Sequence, residues 1–200
     1  SECLVGSEMC IRDRSMDYSI LVNKDNPLPR AYIPNTLENA HSEYKENILL
    51  DNKALEAFQE LKREALRYGY HIDIVSGYRD YDYQEKIYNK LLEEKGFTYA
   101  ITRIASPGKS EHQTGLALDF CIYKDGKCYI EHDVEDKIET KWIHQNSHRY
   151  GFIIRYPEGK EDITKYSYEP WHLRYVGNIA SSIYNNNLTL EEYKDKESIK

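Results

Sequence analysis

The sequence predicts an α+β fold in a single domain, with a small antiparallel sheet flanked by helices. Three observations point there. Helix-spaced apolar stretches and alternating stretches come in blocks rather than in strict βαβ alternation. The sharpest turn signal, Asp125-Gly126, is one that joins antiparallel strands. A length of 200 residues suits one domain with a real core, and no repeat, low-complexity tract or interdomain linker divides it.

The elements follow in order. Residues 4–13 resemble one reading frame of a transposase adapter used in DNA library preparation, so 1–14 are expected to be a non-native scar and are left out of fold reasoning. The natural amino terminus is then expected to be missing, and Cys3 and Cys10 are not counted. Residues 15–40 read as an extended arm, since Pro27, Pro29 and Pro34 fall within eight residues. The catalytic domain is expected over 41–187. Its first helix spans Asp51–Tyr68: Leu55, Phe58, Leu61, Ala65 and Leu66 share a stripe, Asp51 caps the start and Gly69 ends it. His71–Ser76 reads as a strand with Ile72 and Ile74 inward. Tyr81–Lys95 reads as a second helix burying Ile87, Tyr88, Leu91 and Leu92, with Gly96 as its stop.

Ala117–Tyr123 alternates as a strand. A four-residue loop over 123–126 would set Cys121 directly opposite Cys128, close enough for a disulfide; two ordinary thiols are the equal alternative. A third helix is expected over Val134–Tyr150 on Val134, Ile138 and Trp142, ending at Gly151. Phe152–Tyr156 and His172–Tyr175 read as short strands. In the last segment, 188–200, Thr189 and Glu192 form a capping box for a short helix and tail.

Composition excludes some classes. The net charge of −7 argues against a nucleic-acid partner, because neutralising phosphates needs clustered Lys and Arg. No apolar run approaches the roughly 18 residues that span a bilayer. Tyrosine is abundant at 19 residues, which serves core and half-buried packing more often than a glycan-facing groove.

Two clusters carry chemistry. In Ser110-Glu-His112-Gln-Thr-Gly115-Leu-Ala-Leu-Asp119, Gly115 suits a tight turn into a strand. Strand alternation sends Leu118, Phe120 and Ile122 to one face and Ala117, Asp119 and Cys121 to the other, so Asp119 faces away from the core. In Glu169-Pro-Trp-His172-Leu-Arg174-Tyr, Pro170 biases Glu169 away from helix, and His172 shares a strand face with Arg174. Singly, each residue has an ordinary use: His112 as a surface polar group, Asp119 as a cap or lysine partner, Glu169 as a solvated charge. Together, two imidazoles and a carboxylate make a three-ligand set for one Zn²⁺ with a position left for water. Glu169 is the candidate base that does not ligate.

Ser110-x-His112-x-x-Gly115-x-Ala117-x-Asp119, followed about fifty residues on by Glu169-x-x-His172, resembles the VanY-type D-alanyl-D-alanine carboxypeptidase family, whose relatives cut L,D- or D,D-linked stem peptides. The likeness runs over about 20–185, through Ser76-Gly-Tyr-Arg79, Gln84, Pro107-Gly-Lys-Ser110, Tyr150-Gly-Phe-Ile153, Arg155-Tyr-Pro157 and Trp171–Gly177, with no functional position missing. It implies a zinc cleft on the sheet face, metal ligands at His112, Asp119 and His172, and a base at Glu169. It also implies that Arg79 supports substrate and oxyanion, a surface salt bridge being its alternative, and that Gln84 and Ser110 line the terminal-carboxylate pocket. The implied partner is the peptidoglycan stem peptide, met by a monomer outside the cytoplasm, in the envelope or secreted. A lytic endopeptidase on a similar scaffold, and a zinc-containing wall-peptide binder without catalysis, are the other two readings.

Overall fold

The computed structural model describes residues 17–198, so the segment read as a scar, with Cys3 and Cys10, lies outside the described residues. Residues 17–36 contain no helix or strand and are tied to the body by main-chain contacts such as Leu28 N–H to the Gly108 carbonyl at 2.7 Å. A two-stranded ribbon follows, β1 (Leu37–Asn39) with β2 (Leu49–Asp51). It leads into α1 (Asn52–Arg67), whose first amides are capped by the Asp51 carboxylate, which accepts from Lys53 and Ala54.

The main sheet is antiparallel throughout, in the order β3 (Ile72–Ser76), β4 (Ala117–Lys124), β7 (His172–Tyr175), β6 (Phe152–Ile154), with β5 (Lys127–Tyr129) also on β4. The eight-residue β4 is its spine: β7 pairs with its first half and β5 with its second, on the same edge. Leu118, Phe120 and Ile122 pack on one face against Leu55, Phe58, Leu61 and Ala65 of α1, together with Ile143 of α4 (Ile138–Asn146). Burying a side chain such as Phe58 contributes roughly 1.5–3 kcal/mol. A second cluster joins Ile153 and Val176 to α6 (Ala180–Asn185) and α7 (Leu190–Ser198). The Thr189–Glu192 capping box forms, with Thr189 N–H to Glu192 Oε2 at 2.7 Å and Glu192 N–H to Thr189 Oγ1 at 3.2 Å.

Several expectations need correction. Leu66 lies on the solvent side of α1, 52% exposed. In α2 (Tyr81–Lys95) the four apolar residues are only half-buried, and the fully buried side chain is Gln84, because α2 is covered by the short α3 (Phe97–Arg103) rather than by the sheet. The third helix is broken: a 3-10 turn at Glu131–Val134, extended Lys137, α4, then another 3-10 turn at Ser147–Tyr150. Ile138 is exposed there and Ile143 takes the core position. The hairpin loop is two residues, Asp125 and Gly126, both at positive φ, so Tyr123 rather than Cys121 faces Cys128. Both cysteines are free and sit diagonally across the ladder. A four-residue helix, α5 (Glu161–Thr164), lies between β6 and β7, and a 3-10 turn at Gly177–Ile179 precedes α6.

Candidate metal centre

The cross-strand register of β4 and β7 pairs Asp119 directly with His172, on the face turned away from the α1 core. His112 comes from the 3-10 turn Glu111–Thr114, which Gly115 closes at φ +73°. A Cβ at Gly115 would stand 2.7 Å from the movable end of the Leu37 side chain and 3.3 Å from the Asp51 backbone nitrogen, so it is chiefly the left-handed backbone angle that favours glycine. Gly77 plays a second part: a Cβ there would collide with the Leu49 carbonyl, and its own carbonyl meets His112 Nδ1 at 2.7 Å.

That contact makes Nδ1 the donor and leaves His112 Nε2 buried without a hydrogen bond, 3.4 Å from Asp119 Oδ2. His172 Nδ1 lies 3.1 Å from Asp119 Oδ1. One donor atom from each residue lies within 4.8 Å of the others. Tetrahedral zinc with ligand bonds near 2.0–2.2 Å brings its donors to about 3.3–3.6 Å of one another, so this set fits a single small divalent ion once its widest pair closes by about an ångström.

The electrostatics differ between the two imidazoles. Burial, helped by the Arg79 charge, lowers His112 to about 4 and keeps it neutral. Burial opposes protonation of His172 too, but the Asp119 and Glu111 carboxylates outweigh it and raise it to about 9. Burial would raise Asp119, yet the two imidazoles hold it well below the usual carboxylate range. Glu169, at the turn where His172 N–H meets the Glu169 carbonyl, is pushed up to about 7 by burial despite the neighbouring imidazole. Its Oε2 stands 3.6 Å from His172 Nδ1, beside the donor set.

The donors open into a cleft of about 350 Å³ that also takes in Arg79, Gln84, Ser110 and Glu169. Every residue singled out from the sequence therefore lines one cavity. Arg79 is anchored by its own N–H to the His112 carbonyl, while its buried Nε has no partner. Gln84 gives Nε2 to the Ala105 carbonyl at 2.7 Å and leaves Oε1 unpaired; Ser110 is buried. Sequence reasoning missed Glu111, fully enclosed beside His112 with its Oε2 3.8 Å from His172 Nε2. Burial alone would raise this carboxyl, but Arg155 and Arg174 hold it far below its ordinary value. A signal was present: Arg174 shares His172's strand face, and a guanidinium buried there needs a buried acid.

Comparison with known proteins gives one consistent result. A family model described as VanY, D-alanyl-D-alanine carboxypeptidase, matches residues 47–178. The putative carboxypeptidase YodJ of Bacillus subtilis (strain 168) is 43% identical over 182 residues, which is 88% of this chain and 66% of that protein. The chain thus spans just under two thirds of that relative's length. The solved LdcB LD-carboxypeptidase superposes with a TM-score of 0.81 at 44% identity, covering 88% of this chain and 85% of the other. A mutant of the vancomycin-resistance D,D-pentapeptidase VanY, solved in complex with Zn(II), gives 0.74 at 37% identity, covering 90% and 99%.

Proposed function

Because the chain belongs to the VanY family of D-alanyl-D-alanine carboxypeptidases, we propose that it is a zinc-dependent carboxypeptidase that releases the C-terminal D-alanine from peptidoglycan stem peptides. The observation that carries the reading is the convergence of His112, Asp119 and His172, from a turn and two paired strands, at the head of a cleft that also holds Glu169. His112, Asp119 and His172 would hold one zinc ion. When bound, zinc supplies Lewis-acid chemistry: it acidifies water and polarises a carbonyl.

The chain's own groups do the rest. Glu169 takes a proton from the attacking water and delivers it to the leaving amine, so one water is consumed and a peptide C–N bond is broken. Its raised pKa fits a group that must both accept and return a proton. Arg79 presents its unpaired Nε–H to the scissile oxygen as negative charge develops. Ser110 and Gln84 line the part of the cleft assigned to the terminal carboxylate.

Residues 41–187 are assigned to the catalytic domain, with the arm 15–40 and the short helix and tail 188–200 flanking it. No helix among the described residues is long and apolar enough to cross a membrane. With stem peptide as substrate, the site of action is outside the cytoplasm, and a monomer contains the whole cleft. Mass spectrometry of muropeptides incubated with zinc-loaded protein tests this. Loss of one terminal D-alanine from tetrapeptide or pentapeptide stems is expected, and the substrate length identifies L,D- or D,D-cleavage. Release of internal cross-links without terminal trimming would overturn the exopeptidase reading.

A further inference from the structure

Behind the donor set runs a buried ionic chain that the hydrolytic steps do not use. Glu111 Oε1 accepts from Arg155 Nε and from Arg174 Nη1, each at 2.7 Å. Its Oε2 makes no hydrogen bond and faces His172 Nε2 at 3.8 Å. The other edge of Arg155 is taken by Glu191 of α7: Nη1 to Oε2 at 2.8 Å and Nη2 to Oε1 at 2.6 Å. Asn23 Nδ2 adds a bond to Glu191 Oε1 at 3.1 Å. Arg174 is held at its remaining edges by the carbonyls of Tyr18, Ile20 and Tyr175. Both guanidinium groups are fully buried, and two acids balance two bases.

The geometry has a direction. A carboxylate behind a ligating imidazole fixes the ring and raises its basicity. Glu111 can serve His172 only because both arginines converge on one of its oxygens and leave the other over. Arg155 can aim its Nε edge at Glu111 only while its opposite edge is gripped in two-point fashion, and Glu191 is that grip.

We propose that Glu111 is a positioning residue for His172 and that Glu191, through Arg155, sets the aim of Glu111, which makes the terminal helix α7 a working part of the metal centre. The inference rests on the zinc reading above, and its test separates the two. Zinc affinity, measured by chelator competition on the full chain, is compared with thermal stability for wild type, E111Q, E191A, E191D and the double variant. E111Q is expected to weaken zinc binding about 10–100-fold, the usual effect of losing such a partner. E191A is expected to weaken it by roughly tenfold, with E191D recovering part of the loss. In the E111Q background, E191A should then add nothing, because its route to the metal is already cut.

A merely structural Glu191 would lower the melting temperature and leave zinc affinity at the wild-type value; that result overturns the proposal. So would penalties that multiply independently in the double variant. Should E111Q fail to fold, E191A and E191D alone decide, since Glu191 sits at the rim with its side chain 12% exposed. Wild-type protein that binds no zinc would take down the metal reading itself, whereas wild-type binding with an unaltered E191A takes down only the link to α7.

Discussion

Each imidazole of the donor set meets a different group on its far side: His112 Nδ1 hydrogen-bonds the Gly77 carbonyl, and His172 Nε2 faces the Glu111 carboxylate at 3.8 Å. Second contacts of this kind choose which nitrogen faces the ion and keep the ring from turning. The Glu169 carboxylate stands 3.6 Å from His172 Nδ1, beside the three donors rather than among them, which suits a group that must exchange protons rather than ligate. The substitution E169Q is therefore expected to keep zinc at wild-type stoichiometry while turnover falls by about 10²–10⁴-fold, the range for a positioned acid–base group; metal analysis beside a D-alanine release assay checks both halves. R79A removes an unpaired donor from the cleft, and a fall of about 10²–10³-fold in kcat with zinc retained is expected. A change confined to KM would move Arg79 out of the oxyanion role.

At the scale of elements, the parity of β4 was legible because strand alternation is a strict period of two: it put Asp119 opposite the core, and β7 then brought His172 alongside it. The capping box at Thr189 was legible for the same reason, a local rule with a local partner. T189A is expected to cost about 1 kcal/mol, seen as a melting temperature lower by roughly 2–4 °C; an unchanged value would mean that the packing of Leu190 and the ion pairs of Glu191 and Glu192 hold α7 without the cap. What depended on distant partners was not legible. The strands β1 and β2, of three residues each, offer no periodicity to read. The covering of α2 depends on α3, and the break before α4 depends on Thr140 Oγ1 bonding the Val134 carbonyl. Glu111 looked like one more acidic residue because its two arginines lie 44 and 63 positions further along the chain. The hairpin loop was misjudged by two residues, which shifted Cys128 from Cys121 to Tyr123.

For the whole molecule, the donor set stands where the sheet, the 3-10 turn and the long loop before β7 meet, and the arm and α7 close around the arginines behind it. Binding one ion at such a junction stabilises the native state alone. Zinc at about a hundredfold over its Kd should add about 2.7 kcal/mol, and a chelator should lower the melting temperature by several degrees. A melting temperature indifferent to chelator would show that the ion is not bound to the folded chain. The central claim is that three side chains hold a single ion between them, and Asp119 stands between both imidazoles. Elemental analysis of wild type and D119A after dialysis against trace zinc tests it most directly. One zinc per wild-type chain and almost none in folded D119A is the predicted result; D119A retaining a full equivalent would contradict it.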